Sequence, residues 1–318
     1  MSKADFCSPV VNVTTITHEE WLRYRQSGIG GSDSSTIVGL NPYNSQYCLY
    51  LDKQGEIEAK ADNEAMRQGR DFEQYVADRW MEATGKKCHK NNFMWRSKKW
   101  PHMLADIDRE VNGENAGLEC KTTSVYNKAD LAGGEVPTTY YVQCQHYMAV
   151  LGFDRMYLAV LVLNKGFYHF VIERDEAEIE ALAKAEAEFW AKVQSRTPPE
   201  VDGSDATMDA LREKYPNGRE DLPVMELPKS CADDLEALAG IQSDLKIMKE
   251  SEIAVKARIM EKMGEHPLAI AGNFVVSWKN QSAKRVDTAK LKKLHPDVYA
   301  ECLNETTSRA FRFKQKKA

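Results

Sequence analysis

Residues Met103–Thr123 read MLADIDREVNGENAGLECKTT, and this stretch decides the fold. Apolar and polar residues alternate from Met103 to Val111 and again from Gly117 to Thr123, the period of half-buried strands. Asn112-Gly113 between them is a tight-turn signal, so the two runs are expected to join as a hairpin. Along the second strand, alternation places Glu119 and Lys121 on one face and Leu118 and Cys120 on the other. The hairpin brings Asp108, ten intervening residues before Glu119, alongside that face.

Two carboxylates and an ammonium meeting at a sheet edge suit phosphodiester hydrolysis. The carboxylates hold Mg²⁺ or Mn²⁺, the metal lowers the pKa of a water, and the lysine orients or deprotonates that water. An acidic-x-Lys triplet alone equally describes a solvated hairpin with a surface ion pair. Two more occur, Glu58-Ala59-Lys60 in a polar stretch and Asp244-Leu245-Lys246 inside a helical periodicity. Only Glu119 follows a strand, a turn and an aspartate. Asp106 shares the expected strand face of Asp108, so spacing leaves the choice between these two open.

Working outward, Thr17 and Glu20 have the spacing of a capping box, which opens a helix through Tyr24 or Arg25. Gly28 to Asp33 reads as a flexible turn before a short helix, Ser34 to Leu40. A longer helix is expected from Glu64 to Ala83, closed by Gly85. Another starts at Pro137-Thr138 and ends at Gly152. Met156 to Leu163 and Phe167 to Ile172 read as strands around Asn164-Lys165-Gly166, and Asp175 caps a helix to about Gln194. This order implies an α/β fold, a mixed sheet flanked by helices. Thr197-Pro198-Pro199 ends it, giving a core at 1–200, a polar linker at 201–222 and a smaller α+β accessory domain at 223–318. In the last, Leu238, Ile241, Leu245, Met248, Val255 and Ile259 recur by threes and fours, as in a long helix of a hairpin or short coiled coil. Asn273 to Lys279 and Arg309 to Lys314 resemble short strands around a helical insertion.

The composition, 42% hydrophobic and 29% charged over 318 residues, is that of a globular chain. No window holds 18 consecutive apolar residues, so no membrane span is expected, and the N-terminus lacks a signal-peptide layout, which points to the cytoplasm. Seven scattered cysteines without a C-x-x-C pair argue against zinc, iron–sulfur or disulfide frameworks. His89, His102 and His146 lack metal-ligand spacing and read as satisfied histidines. The net charge of -5 hides an asymmetry: Lys279 to Ala318 holds 11 Lys+Arg against 4 Asp+Glu, a local +7. That segment suits a DNA clamp, a docking module or a solvated basic tail. Trp95 and Trp100 among Lys90, Arg96, Lys98 and Lys99 suit a DNA contact or ordinary surface.

Five ordered elements carry a resemblance. They are Arg25 seven residues before Ser32 in Gly-Ile-Gly-Gly-Ser-Asp; Gly69-Arg70-Asp71-Phe72-Glu73; Ala105-Asp106-Ile107-Asp108-Arg109; Leu118-Glu119-Cys120-Lys121; and Gln143-Cys144-Gln145-His146-Tyr147. Over about Trp21 to Gln194 the chain resembles the YqaJ-type viral recombinases, the lambda-exonuclease-like family of the PD-(D/E)xK nuclease superfamily. The resemblance implies that Asp108, Glu119 and the main-chain carbonyl of Cys120 bind metal, that Lys121 is the catalytic lysine, and that Glu73 approaches a second ion. The family's small-x-Asp-Gly/Arg pattern favours Asp108 over Asp106. Arg25 and Ser32 match a pocket gripping a DNA 5′ phosphate. Gln143 and Tyr147, on one helix face with Tyr140, match a wall that holds a DNA phosphate or the attacking water. The implied activity is Mg²⁺- or Mn²⁺-dependent hydrolysis of one strand of linear duplex DNA from its 5′ end. It leaves 3′ single-stranded tails for an annealing protein of the RecT or Bet type, and the enzyme works as a three-subunit ring. An endonuclease or end-trimming nuclease of the same superfamily, or a non-catalytic DNA- or recombinase-binding module, is the alternative.

Overall fold

The computed structural model of the chain describes residues 3–57, 63–124, 131, 133–304 and 308–314; the Glu58-Ala59-Lys60 triplet lies outside them. The chain divides into two compact units, residues 1–215 and 216–318.

In the first unit α1 (Lys3–Phe6) leads into β1 (Cys7–Asn12), α2 (His18–Gln26), β2 (Ile29–Gly30), α3 (Gly31–Ile37), α4 (Gln46–Gln54) and α5 (Glu64–Thr84). Then come β3 (Cys88–Lys90), β4 (Phe93–Ser97), β5 (Met103–Ala105), β6 (Arg109–Val111), β7 (Ala116–Thr123) and α6 (Thr138–Leu151). β8 (Arg155–Val162), β9 (Gly166–Glu173), α7 (Glu176–Ser195) and α8 (Asp205–Lys214) complete it. The caps are those the residues dictate. Thr17 and Glu20 close a capping box on α2, Gly85 ends α5 and Gly152 ends α6, both in the left-handed region where glycine meets no Cβ penalty.

The central sheet has five strands in the order β3-β6-β7-β8-β9. β7 and β8 are parallel with Glu119 opposite Leu158, and α6 makes the crossover between them; the other pairings are antiparallel. Alternation sorts its two faces. Leu118, Tyr157 and Ala159 pack with Val76, Ala77 and Trp80 of α5. On the opposite face Leu158, Val160 and Val162 pack with Cys144, Met148 and Leu151 of α6 and Ile179 of α7. This is the mixed sheet between helices expected from the sequence. A second sheet, ordered β1-β4-β5-β2, lies beside it. A buried network ties the helices together. His146 of α6 shares one ring nitrogen with Ser34 of α3 at 3.0 Å and Glu186 of α7 at 2.9 Å, and its other nitrogen faces the Leu104 carbonyl at 2.8 Å. His146 and Glu186 are both fully buried, so His146 is a satisfied core histidine with a cross-linking role.

Four sequence expectations change. Met103–Val111 is not one strand: β5 belongs to the four-stranded sheet and β6 to the five-stranded one, and residues 106–108 carry the chain between them. The Gly28–Asp33 segment is not a loose turn, because β2 pairs in parallel with β5 and α3 begins at Gly31. Within the polar 201–222 stretch, Ser204 caps α8, whose Thr207 hydroxyl lies 2.7 Å from Ser45 and whose Ala210 joins the core of α3, α4 and α7. Two buried residues are too few to mark a helix by periodicity. In the second unit, α9 (Lys229–Met263) is one 35-residue helix rather than a helical hairpin. It is followed by β10 (Leu268–Ala271), β11 (Phe274–Ser277), α10 (Thr288–Leu294) and α11 (Pro296–Glu301). β11 pairs with β10 across Gly272, and residues 309–314 form no strand.

Candidate active site

Where the chain leaves the second sheet for the central one, Asp108 turns toward the middle of β7. Its Oδ2 accepts the Cys120 backbone N–H at 2.7 Å, a bond that takes the place of a ladder contact. From β7, Glu119 and Lys121 point to the α6 side. The Lys121 ammonium lies 2.7 Å from Glu119 Oε1 and 5.4 Å from the Tyr140 ring, and Gln143 Nε2 donates to the same Glu119 oxygen at 2.8 Å. Glu119 is 3% exposed, and its second oxygen, Oε2, is buried without a hydrogen-bond partner among the described residues. Burial and then the nearby Glu119 and Glu73 carboxylates push Asp108 well above the usual carboxylate range. Burial also raises Glu119, against the opposing charge of Lys121. For Lys121, burial favours the neutral amine, but Glu119 and Asp108 outweigh it and hold the ammonium protonated.

An orphaned carboxylate oxygen and two crowded carboxylates are what a divalent cation would relieve, so Asp108 and Glu119, with the Cys120 carbonyl next to Glu119 in sequence, suit one. Glu73 on α5 is differently engaged. Arg109 bonds it, Lys90 stands 3.9 Å away, and the same guanidinium reaches the Asp108 carbonyl at 2.7 Å and Gln74 at 3.0 Å. Among the described residues no three acidic, histidine or cysteine side chains are already gathered as a metal cluster. Arg109 and Lys90 thus both lie on one Glu73 oxygen, Oε1.

Beside this cluster is a cavity of about 180 Å³ lined by Trp21, Arg25, Ser32, Asp106 and Tyr147 among others. One guanidinium nitrogen of Arg25 donates to Ser32 Oγ at 2.9 Å and to Asp33 Oδ1 at 2.9 Å, and the Trp21 ring lies 5.1 Å from the guanidinium carbon. Asp106 is on this cavity's wall, accepting from the Trp21 indole at 2.8 Å. The two aspartates therefore face different groups, and the expectation that they share one strand face fails because the strand is broken between them. Tyr147 joins cavity and cluster: its hydroxyl accepts from Gln143 at 2.9 Å, and Gln143 in turn holds Glu119. Gly31 permits this approach, since a Cβ there would fall 2.6 Å from the Tyr147 ring.

Residues 20–154 match the YqaJ-like viral recombinase domain. Over 304 residues the chain is 35% identical to the uncharacterized protein YqaJ of Bacillus subtilis (strain 168), covering 94% of this chain and 95% of that one. The chain belongs to the YqaJ-like viral recombinase family. Among solved structures, an alkaline exonuclease from Laribacter hongkongensis is 18% identical with a TM-score of 0.47, covering 56% of this chain and 94% of its own. A phage-related exonuclease from Haemophilus somnus 129PT is 13% identical with a TM-score of 0.42, covering 55% and 99%.

The structure thus brings together Asp108, Glu119, Lys121, Gln143 and Tyr147, sets Arg25 and Ser32 in the adjoining cavity, and leaves Glu73 on Arg109. Trp21, Asp33 and Lys53 were missed by sequence reasoning. Asp33 stood in the quoted glycine-rich run, but its partner Lys53 sits on α4, a helix signalled only by Ser45 as cap and Gly55 as stop. The basic–aromatic stretch is largely engaged within the chain: Arg96 donates to the Pro101 carbonyl, and Lys99 lies 4.1 Å from the Trp100 ring. His89 meets Asn112 at 2.7 Å.

Proposed function

We propose that the chain is a divalent-metal-dependent deoxyribonuclease that degrades one strand of linear duplex DNA from its 5′ end and leaves 3′ single-stranded tails. The observation that carries this reading is the Glu119–Gln143–Tyr147 chain, which joins a buried, cation-seeking carboxylate pair to a cavity whose polar donors suit a terminal phosphate. Asp108, Glu119 and the Cys120 carbonyl would hold the metal, with Glu73 as the candidate for a second ion. Bound there, Mg²⁺ or Mn²⁺ supplies Lewis acidity and lowers the pKa of a water.

The remaining roles belong to the chain itself. Lys121, kept protonated by its acidic neighbours, offers a positive charge to the phosphate where negative charge builds up. Gln143 fixes one Glu119 oxygen, Oε1, and the unpartnered Oε2 would be the one to meet a cation. Arg25 and Ser32 offer a guanidinium and a neutral hydroxyl to the 5′ phosphate, chemistry to which arginine is suited by its planar donor array. The tails would serve a strand-annealing protein of the RecT or Bet type, and a homotrimeric ring around the duplex would account for processive digestion without a motor.

The test is end-labelled linear duplex, with and without a 5′ phosphate, alongside covalently closed circles, in Mg²⁺ and in chelator. The expected outcome is Mg²⁺-dependent release of nucleotides from phosphorylated 5′ ends and intact circles. Cut circles would replace the exonuclease with an endonuclease, and binding without hydrolysis would leave a DNA-holding module.

A further inference from the structure

Behind Arg25 lie two buried charges, Asp33 and Lys53, that the proposed chemistry does not use. Asp33, on the first turn of α3, gives Oδ1 to Arg25 at 2.9 Å; its Oδ2 accepts from Lys53 at 2.8 Å and from the Gly30 backbone N–H at 2.9 Å. Lys53 reaches across from α4 and also donates to the main-chain carbonyl of Arg25 at 2.9 Å. Its side chain is 1% exposed and that of Asp33 is 9% exposed, whereas Arg25 keeps 30% of its side chain open. One carboxylate thus faces two cations in the interior. A buried ion cluster is a poor way to gain stability, because desolvation offsets most of the attraction and apolar side chains of similar volume do as well. What such a cluster does confer is direction.

Both hydrogens of one Arg25 terminal nitrogen are committed, to Ser32 and to Asp33. The Trp21 ring covers the guanidinium, and Lys53 grips the Arg25 backbone at the end of α2. The rotamer is therefore settled before any ligand arrives. The nitrogens Nε and Nη1 have no hydrogen-bond partner among the described residues. A solvent-exposed arginine would instead have to lose its side-chain freedom on binding.

We propose that Asp33 and Lys53 are positioning residues that preset the Arg25 guanidinium for an anionic DNA end, so that terminal-phosphate selectivity depends on a carboxylate and an ammonium that never touch DNA. This rests on the reading of the cavity as the end-phosphate pocket. Asp33→Asn is nearly isosteric and keeps an oxygen acceptor while removing the charge.

The experiment measures kcat and KM on 5′-phosphorylated and 5′-hydroxyl duplex for the full-length protein and for Arg25→Ala, Asp33→Asn, Lys53→Met and the Arg25→Ala/Asp33→Asn double variant, with a thermal melt of each. Arg25→Ala should flatten the phosphate preference. Asp33→Asn should raise KM on phosphorylated ends about tenfold, the loss expected for a weakened charged hydrogen bond, with kcat and the hydroxyl-end rate unchanged. Lys53→Met should act in the same direction. In the Arg25→Ala background, Asp33→Asn should have no further effect on the preference. If Arg25→Ala flattens the preference and Asp33→Asn lowers both substrates' rates equally, or adds to Arg25→Ala, the positioning role is overturned and the pocket stands. If neither variant changes the preference, the pocket reading falls and takes the positioning role with it.

Discussion

Two buried acidic sites sit side by side in the first unit and are built on opposite electrostatic plans. At Asp33 one carboxylate is enclosed by two cations and a backbone N–H, and although burial opposes ionisation, Lys53 and Arg25 hold its pKa down to about 2. At Asp108 and Glu119 two carboxylates share one ammonium, one oxygen is left unpartnered, and burial drives both pKa values up, joined at Asp108 by the charges of Glu119 and Glu73 and at Glu119 by those of Glu73 and Asp106. The first site is complete as it stands; the second asks for positive charge from outside. The same type of group thus serves as an anchor where its charge is matched and, on the proposed reading, would serve as a ligand where it is not.

The largest effects should come from dismantling the unmatched site. Asp108→Ala, Glu119→Ala and Lys121→Ala should each cut Mg²⁺-dependent hydrolysis about a hundredfold or more while far-ultraviolet circular dichroism stays native. Full activity in all three would remove the cluster from the chemistry, and loss with Asp106→Ala but not Asp108→Ala would exchange the two aspartates' roles.

Next comes the matched site. Asp33→Ala leaves two cations uncompensated in the interior and should lower urea-denaturation stability by about 3 kcal/mol. A loss under about 1 kcal/mol would mean that water reaches the cluster. The pH dependence carries a sign. Because folding depresses the Asp33 pKa from 3.8 to about 2, its contribution, on the order of 2 kcal/mol, is fully present above about pH 4 and is lost as pH falls through 2. The stability gap between wild type and Asp33→Asn should therefore be constant from pH 7 to pH 5 and close below pH 4. A gap that closes near pH 6 would point to a different titrating group.

The sharpest contrast is the same conservative change made at the other site. In metal-free buffer Asp108→Asn keeps an acceptor for the Cys120 N–H and removes a repelling charge, so it should stabilise by on the order of 1 kcal/mol. Destabilisation there would erase the distinction between the two sites.

The smallest effect concerns the basic second unit. Exchanging Lys290, Lys292 and Lys293 for alanine should leave kcat unchanged and reduce the slope of log affinity against log salt by up to about 3 if that surface grips duplex phosphates. An unaltered slope would favour a docking or solvating role for the segment.

The acid–lysine core was legible because its determinants are local. Asn112-Gly113 fixes the hairpin, and alternation along β7 puts Glu119 and Lys121 together on one side. The spacing of Gln143 and Tyr147 on α6 was legible for the same reason. What stayed hidden depends on partners far away in sequence. The break at Asp106–Asp108 is decided by the indole of Trp21, 85 residues earlier, and by the Cys120 amide, and alternation alone cannot show it. Lys53 was invisible because its role exists only once α4 packs beside α2. The β10 strand, Leu268–Ala271, was overlooked because four apolar residues after a helix carry no periodicity of their own.

The three residues that carry the chain from one sheet to the other also measure a distance. Asp106 stands on the wall of the cavity that holds Arg25 and Asp108 in the acidic cluster, and two residues of extended backbone span at most about 7 Å. Both ends of that step are clamped, one by an indole and the other by a strand amide. On the proposed reading the crossing is a ruler. The interval between the recognised terminus and the hydrolysed bond is set by covalent geometry rather than by a movable loop, so every cut should release a fragment of one size, and a single residue inserted at Ile107 should blur that size before it abolishes cutting.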